Sequence, residues 1–364
     1  MLLTNVTGAG MSKKKMVLAY IAGWQSWDGL PLERDAERLT HICYAFANIR
    51  HGEVVLLTRD DIHQARNEAG LAQLVALRHR HPHLKLLISI GGWTADGFSD
   101  AALTDDARVK FARSAVDFMQ RYQLDGIDMD WEYPSNDMAG IVARPEDQQN
   151  FTLMLAELRK QLDALSDSQG RKGEERYLLS IAAGAGQYYL DGVEMAAVTA
   201  QLDFVNLMTY DYYNGWATRA GHHSNLFNSP VDPDGDSCAK SVELFLANGV
   251  PRDKLVLGVA FYGRSLGECR GLGEPGKQGS NGAHSYSEIV EKFIPAGGVR
   301  HWDDAAKAPW LQYEDRFISY EDAESIAAKV AYIKAHDLAG GFFWEYTEDR
   351  SDTLMTALWQ GLQD

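Results

Sequence analysis

Eight short apolar or β-branched runs recur along the chain, at 17–22, 41–49, 84–90, 126–131, 178–183, 204–210, 255–262 and 340–344, with polar or amphipathic segments between them. After the fourth run, Phe151, Met154, Leu155, Leu158, Leu162 and Leu165 fall three and four apart, the spacing of one helical face. Strands alternating with helices imply a parallel sheet, because parallel neighbours need a crossover connection. A count of eight fits a closed barrel better than an open doubly wound sheet. The expectation is therefore an α/β fold, a (β/α)8 TIM barrel over residues 16–364.

The first run follows Lys13-Lys14-Lys15 and superficially resembles the charged and apolar parts of a signal peptide. It is short for that purpose and serves better as the first strand, which leaves residues 1–15 as an expected disordered leader. Between the seventh and eighth runs, residues 264–316 are Gly-rich in places, carry the polar run 276–282 and show no clear long helix. A small α+β insertion growing from the C-terminal rim is expected there, since that rim is where the βα loops of barrels expand.

The carboxylates are concentrated in Asp125-Gly-Ile-Asp128-Met-Asp130-Trp-Glu132. Alternate side chains of a strand share a face, so Asp128, Asp130 and Glu132 point the same way, toward the barrel interior. An ionised carboxylate is costly there unless it is paired or hydrogen-bonded. Neighbouring carboxylates also resist simultaneous ionisation, so at least one should keep its proton at raised pH. A general acid needs that property. Asp125 reads as a stabiliser of the strand's entry, and Trp131, between the acids, faces the helices instead.

Trp24, Trp93, Trp131, Trp216 and Trp344 lie in or just after the runs, toward one rim. Indole stacks on the C–H faces of sugars, so a tryptophan-lined cleft reads as a saccharide track. Ordinary packing is the better reading for Trp359 and Trp24.

Against 35 Lys and Arg stand 51 Asp and Glu, a formal net charge of -16 that disfavours nucleic acid and anionic lipid but leaves a neutral sugar unaffected. No apolar run approaches the roughly 20 residues that span a bilayer, so a soluble monomer is expected, with no membrane partner. Secretion and a cytoplasmic location are both compatible with the sequence. Cys43, Cys238 and Cys269 form no Cys-x-x-Cys pair, which argues against zinc, although one bridge between Cys238 and Cys269 is possible. His79, His81 and His83 flank Pro82 and read as a solvated turn. No metal is expected, and without a Gly-rich phosphate-binding fingerprint no cofactor is either.

With its four acids in place, the carboxylate run resembles the Asp-x-x-Asp-x-Asp-x-Glu signature of glycoside hydrolase family 18, the chitinases, and the likeness extends from about residue 17 to about residue 346. Ser89-Ile-Gly91-Gly92-Trp93 is similar to the family's third strand, Met208-Thr-Tyr210-Asp211 to its sixth, Tyr262-Gly263-Arg264 to its seventh and Trp344-Glu345 to its eighth. Trp302-Asp303 resembles part of the insertion of the larger members.

The resemblance implies hydrolysis of β-1,4 links in chitin and N-acetylglucosamine oligosaccharides, with the substrate's own 2-acetamido group as nucleophile and Glu132 as acid, then base. Asp130 would orient the acetamide, Asp128 would share a proton or hydrogen bond with Asp130, and Tyr210 and Asp211 would hold the acetamide carbonyl. Trp344 would floor the -1 subsite, and Trp93 and Trp216 would line the leaving-group side. Tyr20 and Phe46 would narrow the pocket, with Gly92, Tyr133, Met208, Tyr262 and Arg264 as further substrate-binding positions. An endo-β-N-acetylglucosaminidase and a sugar-binding lectin are the competing readings. Glu132 argues against the lectin, because inactive relatives typically lack that glutamate.

Overall fold

The computed structural model describes residues 13–56 and 61–363. Its main sheet is a closed ring of eight parallel strands, β1 Met16–Ala22, β2 His41–Arg50, β3 Lys85–Gly91, β4 Gly126–Asp130, β5 Leu178–Gly184, β6 Phe204–Met208, β7 Leu255–Ala260 and β8 Gly340–Trp344. Each pairs with its sequence neighbour, and β8 pairs with β1 to close the (β/α)8 barrel.

Period-two alternation sorts the side chains into two cores. Val17, Ile42, Ile88, Ile127, Leu179, Val205, Leu257 and Phe343 point outward into a large apolar layer shared with the surrounding helices. Helix Asp147–Ser168 covers part of it, burying Phe151, Met154, Leu155, Leu158 and Leu162 along the face that the sequence spacing marks out. The lumen is filled separately by Leu18, Tyr20, Cys43, Leu87, Phe204, Val256 and Phe342. All three cysteines are free and buried, with Cys238 and Cys269 in different apolar clusters, so the bridge that the sequence allows is not formed.

β7 ends at Ala260, two residues before the expected end of the seventh run. Phe261 turns outward and stacks on Phe343, with centroids 4.0 Å apart. Tyr262 then opens a second, antiparallel sheet of five strands, Tyr262–Leu266, Gly282–Ser285, Val299–Asp303, Ala308–Tyr313 and Arg316–Ser319.

Of the expected leader, residues 1–12 lie outside the described residues. Lys15 is not disordered: its ammonium donates to Asp337 Oδ1 at 2.8 Å and to the Leu338 carbonyl at 2.7 Å, which ties it to the entry of β8. No helix among the described residues is long and apolar enough to cross a membrane.

Candidate active site

One layer of the lumen is polar. Register places Ser89 beside Asp128 and Asp128 beside Ser180, all facing inward. Ser89 and Ser180 donate their hydroxyls to Asp128 at 2.8 Å, Tyr20 does the same from β1 at 2.8 Å, and Asn206 Nδ2 donates to the Tyr20 hydroxyl at 3.0 Å. Burial raises the Asp128 pKa, and these donors pull against it. Asp128 was expected to share a hydrogen bond with Asp130. Its two oxygens are instead taken by the three hydroxyls, and Asp130 feels it through charge alone.

Two residues nearer the mouth, Asp130 is hydrogen-bonded to Glu132 rather than to Asp128. Burial, then the charges of Glu132 and Asp128, hold the Asp130 carboxyl well above its ordinary range. Its Oδ1 is buried with no hydrogen-bond partner in the structure. Glu132 caps the column at the end of β4, and burial, opposed by its bonds to Asp130 and Tyr133, lifts its pKa to about 7. A pair of neighbouring carboxyls in this state retains a shared proton near neutrality.

A second polar cluster faces the column from the ends of β6 and β7. The Asp211 carboxylate accepts from the Tyr262 hydroxyl at 2.5 Å and from Arg264 Nε at 2.6 Å. Burial opposes its charge, but Arg264 and the Tyr262 hydroxyl outweigh burial and hold its pKa below the ordinary value. Tyr210 lies against Tyr262 and Phe342, with ring centroids 6.1 and 6.2 Å away, and both it and Met208 pack against the lumen cluster.

Aromatic rings form the floor. Phe46 stacks on Trp344 at 5.5 Å and 20°, and Tyr20 lies 5.6 Å from the same indole. Strict alternation would send Phe46 outward with Ile42 and Tyr44. The pairing of β2 with β3 shifts register between Ala45 and Ala47, and this bulge re-aims Phe46 to the mouth. Gly92 makes room for it: the residue has φ +100, and an added Cβ would lie 2.6 Å from the Phe46 ring.

Trp24, read from the sequence as packing, is 53% exposed and stacks on Phe46 at 5.9 Å. It belongs to the mouth, because β1 ends at Ala22 and the indole sits on the loop beyond. Trp93, also 53% exposed, packs edge-on against Tyr133 at 6.3 Å. Trp216 is 58% exposed and leans on Tyr213 at 5.3 Å, in the loop after β6. Trp131 is buried between Phe98 and Phe151 on the helix side. Asp125 accepts from Arg78 and from the Leu86 N–H at 2.8 Å each, at the entry of β4.

Asn206 and the roles of Ser89 and Ser180 are absent from the sequence expectations. Their signal is present all the same, as a lone polar residue at an inward position of an apolar strand. Among the described residues no group of His, Cys, Asp and Glu could hold a metal ion.

Glycosyl hydrolases family 18, as a family model, matches residues 16–349. The chain belongs to this family. It is 41% identical over 311 residues to chitinase A1 of Niallia circulans, covering 79% of this chain and 44% of that protein, so it spans less than half of that relative's length. Chitinase 1 of Aphanocladium album is 32% identical over 381 residues, covering 97% of this chain and 88% of that one. Among solved structures, a family 18 N-acetylglucosaminidase from Paenibacillus barengoltzii matches with TM-score 0.87 and 42% identity, covering 95% of this chain and 99% of that one.

Proposed function

We propose that this family 18 hydrolase cleaves β-1,4 links between N-acetylglucosamine units of chitin and its oligosaccharides, with retention of configuration and with the substrate's acetamide as nucleophile. The observation that carries this reading is the inward column Asp128, Asp130, Glu132, whose outermost member has a pKa near 7 beside an aromatic floor.

With the shared proton on Glu132, that residue protonates the glycosidic oxygen as the acetamide carbonyl oxygen attacks the anomeric carbon. The C–O bond to the leaving sugar breaks and an oxazolinium ion forms. Asp130, then ionised, accepts the acetamide N–H through its unpartnered Oδ1 and balances the developing positive charge. Tyr210 donates its hydroxyl to the acetamide carbonyl, and Asp211 supports the same group. Glu132, now a carboxylate, takes a proton from water that attacks the anomeric carbon from the face the leaving group left. The ring opens and the β configuration is kept, by a route that uses one enzyme carboxyl where most retaining glycosidases use two. Asp128, gripped by three hydroxyls, anchors the column. Trp344 and Phe46 floor the -1 sugar, with Trp93 and Trp216 toward the leaving group.

Incubation with N-acetylglucosamine oligomers of defined length tests the reading. Cleavage is expected from the wild type, and Glu132→Gln is expected to lose at least ~10²-fold in kcat while still binding substrate. Wild-type turnover in that variant, or initial release of the α-anomer by NMR, would overturn the mechanism. The likeness to an N-acetylglucosaminidase favours a second reading, release of single sugars from a chain end, and the product lengths of the same incubation decide between the two.

A further inference from the structure

His223, twelve residues beyond Asp211, is completely buried where the loop after β6 meets the second sheet. Each of its polar groups is engaged. Its backbone N–H donates to Ser319 Oγ at 2.9 Å, and its carbonyl accepts from the Tyr212 N–H at 3.0 Å. In the ring, Nδ1 lies 3.3 Å from the Asp211 backbone N–H, and Nε2 lies 3.2 Å from the Tyr262 carbonyl.

These two ring contacts assign the tautomer. A backbone N–H can only donate, so Nδ1 carries a lone pair; a carbonyl can only accept, so Nε2 carries the proton. Nδ1 is 3.8 Å from Asp211 Oδ1, beyond hydrogen-bond range, so the neutral imidazole holds the backbone of Asp211 and not its carboxylate. That backbone needs holding, since Asp211 has φ 62, in the left-handed region that a non-glycine residue seldom adopts.

We propose that His223 is a positioning residue for the reaction: as a neutral Nε2–H imidazole it pins the Tyr210–Asp211 turn to Tyr262 and, through Ser319, to the second sheet. The inference rests on the substrate-assisted reading, in which Tyr210 and Asp211 hold the acetamide. The same turn presents Tyr210 to the sugar and delivers Asp211 to Tyr262 and Arg264. Losing the pin leaves the partly buried Asp211 N–H without an acceptor and lets the turn relax. Protonated His223 could not accept that N–H, and burial keeps it neutral, with a pKa lowered to about 3.

Two variants separate hydrogen bonding from packing. His223→Asn places an amide oxygen where Nδ1 sits and keeps an acceptor for the Asp211 N–H; His223→Phe keeps a flat ring and removes the acceptor. On a chitin oligomer we expect His223→Phe to lose about tenfold in kcat with KM little changed, and His223→Asn to stay within about threefold of wild type. Equal losses in the two variants, or full activity in His223→Phe, would overturn the proposal.

Should His223→Phe fail to fold, nitrogen-15 NMR of the wild-type histidines, with the signal assigned by its absence in His223→Asn, decides the matter without reference to activity. An Nε2–H resonance that stays neutral from pH 8 to pH 5 is expected. An Nδ1–H tautomer, or titration within that window, would overturn the assignment. An inactive wild type with the expected tautomer would instead count against the substrate-assisted reading.

Discussion

The Tyr20 hydroxyl donates to Asp128 Oδ2 at 2.8 Å across the barrel lumen, joining the first strand to the fourth beneath the candidate active site. The same hydroxyl accepts from Asn206 Nδ2 at 3.0 Å, so one phenol satisfies groups on two other strands. The base of the carboxylate column is thus fixed by residues remote in sequence.

Tyr20→Phe preserves the ring against Phe342 and Trp344 but strips a donor from Asp128 and an acceptor from Asn206. Unpaired polar groups in a buried site cost about 1–3 kcal/mol. The variant should melt at lower temperature and lose roughly tenfold in kcat, because an Asp128 with fewer donors is a poorer anion beneath Asp130. Calorimetry and oligomer kinetics check both, and unchanged values in both would show the layer to be dispensable.

Asp211 also sets the pH range of Glu132. Burial is the main reason the Glu132 pKa stands near 7, and the Asp211 negative charge pushes it further the same way. Glu132 must be protonated to act as an acid, so kcat/KM should fall as pH rises through about 7. Asp211→Asn removes the negative charge, which makes ionised Glu132 easier to form, and the alkaline limb should move to lower pH. The plateau should drop by about ten- to a hundredfold as support for the acetamide weakens. Profiles of kcat/KM against pH measure both effects, and a limb that stays put or moves up would refute the electrostatic link.

The barrel was legible because its signal is local: each strand is a short apolar run, and period two assigns its faces. Asp128, Asp130 and Glu132 were legible for the same reason. Ser89, Ser180 and Asn206 carried a readable signal, one polar residue in an inward position, but their common partner emerges only from register between strands. The placement of Phe46 could not be read from alternation, because the bulge at Ala45 and Ala47 breaks it. Trp24 sits beyond its strand, where no periodicity applies. The contact between His223 and Asp211 depends on how an irregular loop returns over twelve residues, and no local pattern encodes that path.

Gly92 offers the most direct test of the aromatic floor. Its φ of +100 lies where side chains are strained, and an added Cβ would come within 2.6, 2.9 and 3.0 Å of three atoms of the Phe46 ring. Gly92→Ala therefore carries a backbone penalty of about 1–3 kcal/mol and an overlap that only movement of Phe46 can relieve. Phe46 stacks on both Trp344 and Trp24, so its displacement disturbs the surface against which the -1 sugar would rest. The expected result is a lower melting temperature with KM raised several-fold, and a larger loss for long oligomers than for short ones. Phe46→Ala in the same background separates the two contributions. With the ring gone, the overlap disappears, so the added alanine should cost less stability in that background than in the wild type. An identical cost in both would place the whole penalty in the backbone and remove Phe46 from the account.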